Sequence, residues 1–215
     1  GDPMVMDKTV KMAVEHGVGI GAHPGYPDLL GFGRRNMDCL PDEIRNYITY
    51  QIGALQAFCV VHGTKLSHVK PHGNLYNTAV ENESVARAIA EAVVSVSPDL
   101  IYVALAGAGG ETVSRIGKAL GLKVAYEAFA DRAYTPEGTL VSRQQPGAVI
   151  KNREKVAERV LMMAKEGKVI AVDGTEIPLA AQTICVHGDT PGAVDLIKAI
   201  RERLEAEGIE VRPMG

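Results

Sequence analysis

A lysine and a histidine stand two residues apart where a short apolar run in the first half of the chain ends. The run Leu66–Val69 predicts a buried strand, and Lys70 and His72 come after it. Side chains two positions apart on an extended chain point to the same face of a sheet. The pair therefore indicates part of an active-site floor, with a strand end that carries incidental polar residues as the alternative.

Two further apolar runs end in the same way. Val18–Ala22 leads into His23, and Thr183–Val186 leads into His187. In all three places the histidine is followed by glycine or by Pro-Gly. Packing alone does not require this repetition, so the three histidines are candidate site residues.

The loops that follow these strands add polar and aromatic side chains. Gly73 permits a sharp backbone turn, which predicts that Asn74 and Tyr76 lie on a loop. The stretch Pro24–Cys39 has no clear secondary structure, and loops of that length in compact domains are often functional. We take Asn74 and Tyr76, together with Tyr26 from the long loop, as candidate substrate-binding residues.

Histidine and carboxylate side chains also raise the question of a metal. A divalent cation could be bound by His23, His72 and His187, together with Asp189, which lies two residues after His187. Imidazole and carboxylate groups suit zinc, iron or manganese. The three histidines come from separate strands and lack short ligand spacing. General acid–base catalysis and hydrogen bonding are therefore open alternatives for the same residues.

Cationic side chains accompany the histidines and favour an anionic substrate or a transferring phosphoryl group. They are Lys70, Arg34, Arg35 and Arg132. The alternative for the arginines is that they anchor loops through ion pairs.

Two acidic residues lie on or after one predicted strand. Glu127 lies within an otherwise apolar run, where a carboxylate is costly unless it is paired or functional, so it is a candidate catalytic residue. Asp131 follows the same run and is a candidate general base that binds substrate together with Arg132.

Composition limits the function classes. The chain has 215 residues and a net charge of -3, with no basic tract, which argues against a nucleic-acid partner. No apolar run reaches the roughly 20 residues that span a bilayer. The three cysteines are far apart, and neither an initiator methionine nor a signal peptide opens the sequence. We therefore expect reduced thiols and a cytoplasmic location.

Strand and helix patterns alternate along the whole length without a linker, which predicts one α/β domain over residues 1–215 with a parallel sheet. The predicted helices are 3–16, 41–62, 83–96, 111–120, 152–166 and 191–207. The predicted strands are 18–22, 66–70, 100–105, 123–129, the hairpin 168–172 with 177–181, 183–186 and 209–212.

Polar residues gather where strands run into helices, as at the C-terminal face of a TIM-like (β/α) barrel. A doubly wound open sheet is the alternative. A full barrel has about eight strand–helix units, and fewer are evident here. We therefore expect one or two N-terminal strands of the barrel to be missing from this sequence.

The glycine-rich stretch Gly107–Gly110 resembles a phosphate loop only superficially. Thr112 stands where the dinucleotide fingerprint needs its third glycine, and no Gly-Lys-Ser/Thr follows at the Walker offset. Backbone amides at the following helix N-terminus remain a candidate anion site.

Longer motifs carry a family resemblance over essentially the whole chain. They are Gly21–Asp28, Gly31–Arg35, His68–Asn77, Glu127–Tyr134, Gln145–Ala148 and Val186–Gly192. On these motifs the chain resembles the LamB/YcsF lactam-utilisation family, whose members act as the A subunit of the bacterial ATP-dependent 5-oxoprolinase. The family has two further strands before the segment that matches Gly1, and these strands are absent here.

The resemblance implies a barrel of the glycoside hydrolase/deacetylase type. It also implies cleavage of the lactam 5-oxoproline to glutamate, with ATP as co-substrate and subunits B and C as partners. Phosphorylation of the lactam oxygen would create a leaving group, whose charge Lys70 and the arginines could stabilise. His72, His187 or Asp189 could activate water or protonate the ring nitrogen.

Two other functions remain open at this stage. The barrel type and the His/Asp set would also suit a metal-dependent amide or deacetylase-type hydrolase that needs no ATP. The missing Walker motif would suit a non-catalytic, lactam-binding subunit whose partners carry out the chemistry.

Overall fold

Parallel strands alternate with helices, as the hydrophobic pattern predicted. The computed structural model describes residues 1–214, and backbone contacts divide them into two units. Unit 1 contains Gly1–Ala104, Thr112–Val124 and the C-terminal residues from Pro213, whereas unit 2 contains Leu105–Glu111 and Ala125–Arg212.

The strands and all but one of the helices lie close to predicted ranges. The helices are α1 Pro3–Glu15, α2 Pro41–Val61, α3 Gly73–Glu81, α4 Glu83–Val96, α5 Glu111–Ala119, α6 Arg153–Glu166 and α7 Ala193–Ala206. The strands are β1 Ile20–Ala22, β2 Leu66–Val69, β3 Ile101–Leu105, β4 Lys123–Phe129, β5 Lys168–Ile170, β6 Glu176–Pro178 and β7 Thr183–Cys185.

Capping side chains define where several helices begin. The Asp2 carboxylate accepts the Val5 N–H at 2.9 Å, ahead of Pro3 in the first turn of α1. Asn82 and Asn152 accept first-turn amides of α4 and α6 in the same way. These contacts satisfy amides that have no partner within the helix itself. Residues able to make them favour a helix start, and the predicted starts of these helices are therefore close to the observed ones.

In unit 1, the strands β1, β2 and β3 run parallel, with Gly21 opposite His68 and Val69 opposite Tyr102. Helix α2 buries Ile44, Ile48 and Ile52, which lie four residues apart on one face. Because that spacing places them on a single stripe, α2 covers the core of unit 1 and holds the strand ends in place.

In unit 2, β4 and β7 run parallel, with Phe129 opposite Cys185. Helices α6 and α7 pack together and share a core that includes Val160 and Ile200. Strands β5 and β6 form the predicted antiparallel hairpin, although the second strand is shorter than predicted and begins one residue earlier.

Two sequence predictions were wrong. Asn74 and Tyr76 lie on helix α3, not on a loop, because Leu75 and Ala79 bury one face at helical spacing directly after Gly73. The predicted last strand 209–212 does not form; instead, the Ile209 N–H donates to the Leu204 carbonyl at 3.0 Å and its side chain packs into the unit 2 core.

The parallel α/β class is thus confirmed. A barrel of the glycoside hydrolase/deacetylase type and a single domain over the full length stay predictions. Within residues 1–214, no helix combines the length and the apolar character needed to cross a membrane.

A pair of glycines allows a sharp test of the packing between β1 and β2. A Cβ at Gly21 would lie 2.1 Å from His68 Nε2, whereas a Cβ at Gly53 in α2 would meet nothing within 4 Å. We expect Gly21→Ala to lower the free energy of unfolding by about 1–3 kcal/mol because it overpacks this contact. The matched change Gly53→Ala should raise it by about 0.5–1 kcal/mol because helical glycine is entropically costly.

Urea unfolding of both variants beside the parent chain measures this difference. Equal effects of the two substitutions would contradict the close approach of β1 and His68.

Candidate active site

Two histidines that are 49 residues apart in sequence form a hydrogen-bonded pair in unit 1. His23 Nε2 lies 2.9 Å from His72 Nδ1, and the two ring planes meet at 81°. The outer nitrogens contact backbone carbonyls: His23 Nδ1 lies 2.7 Å from the Lys70 oxygen, and His72 Nε2 lies 2.7 Å from the Phe32 oxygen. All four ring nitrogens therefore have partners within unit 1.

Strand pairing explains why these histidines meet. The Lys70 N–H donates to the Ala22 carbonyl at 2.9 Å, and the His72 N–H donates to the Pro24 carbonyl at 2.8 Å. The parallel ladder of β1 and β2 thus continues past both strand ends. Lys70, His72 and His23, which the sequence singled out separately, come together at this edge.

The loop after His23 is held by an ion pair. The Asp28 carboxylate accepts from the Arg35 guanidinium and from the Gly31 N–H. The Arg35 hydrogen bond lowers the pKa of Asp28 to about 2. Arg35 therefore anchors the loop, which was the alternative for its role, and substrate binding by Arg35 stays a prediction. Arg34 lies with its guanidinium carbon 5.0 Å from the centre of the Phe32 ring.

Three other predicted residues of unit 1 are Tyr26, Asn74 and Tyr76. Tyr26 and Tyr76 are buried, and burial raises the pKa of the Tyr26 phenol. The Asn74 side chain donates to Thr78 Oγ1 one turn along α3. The substrate-binding roles of all three residues stay predictions.

In unit 2, a buried carboxylate orients the third histidine. His187 Nδ1 lies 2.8 Å and 3.0 Å from the two Asp131 carboxylate oxygens, and Asp131 is 0% exposed. Burial tends to raise the pKa of Asp131, but the hydrogen bond and charge of His187 outweigh it and hold that pKa below its usual value. The carboxylate is therefore ionised near neutral pH and accepts the Nδ1–H of His187.

The register of β4 and β7 creates this pair. Phe129 lies opposite Cys185, and the Ala130 N–H donates to the Cys185 carbonyl at 3.0 Å. Asp131 lies two residues after Phe129, and His187 lies two residues after Cys185. Both side chains are therefore at the same end of the two strands. The Phe129 ring also stacks on the His187 ring with centroids 5.6 Å apart.

Two residues that the sequence did not single out support this arrangement. The Tyr134 hydroxyl accepts the Phe129 N–H at 2.9 Å, which fixes the end of β4. The Arg159 guanidinium lies over the Tyr134 ring at 5.4 Å, and Arg159 Nη2 donates to the Arg132 carbonyl at 2.7 Å. The sequence signal that could have identified Arg159 is its position directly before Val160, which lies on the apolar face of α6.

Arg132 is 4% exposed, and its side chain donates hydrogen bonds to the loop 135–151. Its Nη2 donates to the Val141 carbonyl and its Nε donates to the Ala148 carbonyl. These contacts anchor the loop through hydrogen bonds, and substrate binding by Arg132 stays a prediction.

The remaining predicted residues of unit 2 occupy contrasting positions. Glu127 is buried on β4, where the Ala106 N–H donates to its backbone carbonyl at 2.8 Å. Asp189 is exposed on the turn after His187, which the Thr190 N–H closes by donating to the His187 carbonyl. Catalytic roles for both stay predictions.

A protein-held divalent metal, for which His23, His72 and His187 are candidate ligands, stays a prediction. Within residues 1–214, no three His, Cys, Asp or Glu side chains are grouped so that they could bind a metal ion. The inner nitrogens of His23 and His72 contact one another, and Nδ1 of His187 is engaged by Asp131.

The glycine-rich stretch before α5 is explained by its own packing. A Cβ at Gly110 would lie 1.7 Å from the Leu105 carbonyl oxygen, and a Cβ at Gly109 would lie 2.7 Å from the Gly138 oxygen. Glycine is thus required by neighbouring backbone, without any bound phosphate. Anion binding at this helix start stays a prediction.

Comparisons with known proteins find relatives over the whole chain. The family model described as LamB/YcsF family matches residues 1–215. A protein of Thermococcus onnurineus that is named as the A subunit of 5-oxoprolinase is 57% identical over the whole chain, and its namesake in Pyrococcus furiosus is 55% identical; the chain spans 83% of the length of each. The solved structure of a lactam utilization protein from Thermus thermophilus superposes with a TM-score of 0.91 at 45% identity. That match covers 100% of this chain and 84% of the other.

Proposed function

Because the chain belongs to the LamB/YcsF family, we propose that it is the A subunit of a 5-oxoprolinase, which cleaves 5-oxo-L-proline to L-glutamate with consumption of ATP. The relatives that bear this name match over the full chain. The observation that carries a catalytic role for this chain is the buried Asp131 carboxylate bound to His187 at the ends of β4 and β7. Subunits B and C are the proposed partners.

The reaction needs activation of a poor electrophile. Amide resonance protects the lactam carbonyl, and ATP as co-substrate would convert its oxygen into a phosphorylated leaving group. Water must then attack the ring carbon and lose a proton, and the ring nitrogen must gain a proton as the C–N bond breaks. This leaves the side-chain carboxyl group as an acyl phosphate, and a second water must release phosphate from it to give glutamate. These proton transfers are the work of a positioned acid–base group.

The pair of His187 and Asp131 suits both transfers. Asp131 accepts the Nδ1–H and so selects the tautomer in which Nε2 carries a lone pair. Nε2 can therefore take the proton of the attacking water, and the buried carboxylate stabilises the imidazolium that forms. The same Nε2–H can afterwards be given to the ring nitrogen as the C–N bond breaks. Stacking on Phe129 restricts rotation of the ring.

The cations of unit 1 suit the negative charges of the reactants. 5-Oxoproline carries a carboxylate, and the transferred phosphoryl group carries more charge. Lys70 follows β2 and Arg34 lies on the adjoining loop. We propose that these two side chains bind anionic groups of the substrates, since charge-assisted hydrogen bonds to carboxylate or phosphate are the strong ones.

The test is a reconstitution of the chain with its partner subunits, 5-oxo-L-proline and ATP. We expect equal amounts of glutamate and ADP, and neither product when 5-oxoproline or the partners are omitted. The partners must also be shown to work beside the relative from Thermococcus onnurineus. If those same partners give no glutamate with this chain, or if glutamate forms without ATP, the proposal is wrong.

A further inference from the structure

A glutamine on helix α2 binds the backbone of the loop that follows β1. Gln51 Oε1 accepts the Gly25 N–H at 3.0 Å. Gln51 Nε2 donates to the Gly25 carbonyl at 2.8 Å and to the Tyr47 carbonyl at 3.0 Å. Gly25 thus exchanges with one side chain the two hydrogen bonds that a residue of a neighbouring strand would make with it.

The three contacts match a carboxamide and no carboxylate or aliphatic side chain of similar size. The Gly25 N–H needs an acceptor, whereas the Gly25 and Tyr47 carbonyl oxygens each need a donor. A carboxylate at position 51 would present lone pairs to both carbonyls. The same requirement fixes the orientation of the Gln51 amide, since the flipped amide would place donor against donor and acceptor against acceptor.

The peptide group between Pro24 and Gly25 is held from two sides. Its carbonyl oxygen accepts the His72 N–H at 2.8 Å, and its N–H donates to Gln51. A Cβ at Gly25 would lie 3.3 Å from His72 Cβ, so the loop backbone lies close to the turn after β2. Helix α2 and the end of β2 together therefore fix the point at which the 24–40 loop leaves β1.

Backbone contacts connect Gly25 with the segment that carries Arg34. Tyr26 follows Gly25 directly, and its carbonyl accepts the Asp28 N–H at 2.8 Å. The Asp28 carbonyl in turn accepts the Gly33 N–H at 2.9 Å. A Cβ at Gly33 would also lie 3.7 Å from the Tyr26 oxygen. Because Gly33 directly precedes Arg34, a displacement of Gly25 would displace Arg34 as well.

On the basis of the proposed 5-oxoprolinase function, we propose that Gln51 is a positioning residue for substrate binding. Its carboxamide holds Gly25 and thereby places Arg34 to bind anionic groups of the substrates. Gln51 acts through the loop backbone and needs no contact with either substrate. Loss of its carboxamide should therefore weaken substrate binding and leave the proton transfers at His187 and Asp131 unchanged.

Amide hydrogen exchange in the isolated chain, followed by NMR, tests the contact itself. Gln51→Met should speed exchange at the Gly25 and Arg34 amides by about 10-fold or more. The control Gln56→Met, at an exposed position of the same helix, should leave both rates unchanged. If Gln51→Met does not fold, Gln51→Glu replaces it, because the carboxylate has a similar shape and loses both donated hydrogen bonds. Parent exchange rates at Gly25 in a folded Gln51 variant would overturn the proposal.

Steady-state kinetics of the assembled complex separate positioning from a general loss of structure. Gln51→Met should raise KM for 5-oxo-L-proline, for ATP or for both by about 10-fold, with kcat within about twofold of the parent value. A smaller folded fraction would instead lower the apparent kcat and leave KM unchanged. Parent KM values for both substrates, in a variant whose Gly25 amide exchanges faster, would rule out the role in substrate binding.

Failure of the proposed function gives a different result. The parent complex would then release no glutamate, which removes the substrate-binding role together with the function. Exchange in the isolated chain uses neither substrates nor partners, so it still decides whether Gln51 holds the loop.

Discussion

Replacing Asp131 with asparagine should lower kcat for glutamate release by roughly 100- to 10,000-fold, the usual worth of a general acid–base group. Asparagine retains the shape of the side chain but cannot stabilise an imidazolium, and its amide can present an N–H to His187 and select the wrong tautomer. His187→Gln should fall in the same range. The two losses should not add, because both variants disable one unit. The measurement is steady-state release of glutamate and ADP by the assembled complex.

The matched control is Asp195→Asn, the same change at an exposed carboxylate in the first turn of α7. It should leave kcat unchanged. Folding of each variant is checked by thermal unfolding, and kcat is expressed per assembled complex. Near parent rates in Asp131→Asn and His187→Gln would assign the chemistry to a partner protein and leave this chain with a lactam-binding role.

The ionisation of Asp131 supports the use of neutral pH in this experiment. Its pKa in the folded chain lies below the ordinary value, so folding favours the carboxylate form. The associated stability is present above that ordinary value and is lost only as pH falls through the lower folded pKa. The pair is thus expected to stay intact between about pH 5 and 8, since the reference pKa of Asp is about 3.9.

Replacing Arg132 with methionine should lower the free energy of unfolding by about 3 kcal/mol, since hydrogen bonds from charged groups contribute about 1.5–3 kcal/mol each. The change leaves the Val141 and Ala148 carbonyls without their buried guanidinium donor. Methionine fills a similar volume, so the loss reports the polar contacts and not a cavity. Urea unfolding measures the difference.

Arg153→Met is the control for this prediction. Arg153 is 59% exposed and pairs with Glu154 on the first turn of α6, where such pairs contribute at most about 1 kcal/mol. If Arg132→Met is as mild as the control but raises KM for 5-oxoproline in the complex, Arg132 binds substrate after all.

Local features of the fold followed from the sequence. The boundaries of α1, α2, α4 and β4 could be predicted because capping residues and apolar periodicity act within a few neighbouring positions. The same signals failed where a tertiary contact decided the outcome. Gly73 suggested a loop, but the burial of Leu75 and Ala79 continues the chain as α3.

The sequence by itself also determined which residue types end the strands: histidine after β1 and β7, and lysine with histidine after β2. Only the tertiary structure decided their partners. His23 meets His72 across 49 residues, and Asp131 meets His187 across 56 residues. Spacing along a strand determines the face on which a side chain lies, whereas strand register and loop packing determine what that side chain contacts. That is why all three histidines could be recognised in the sequence, while the contact of His72 with His23 and that of His187 with Asp131 required the folded chain.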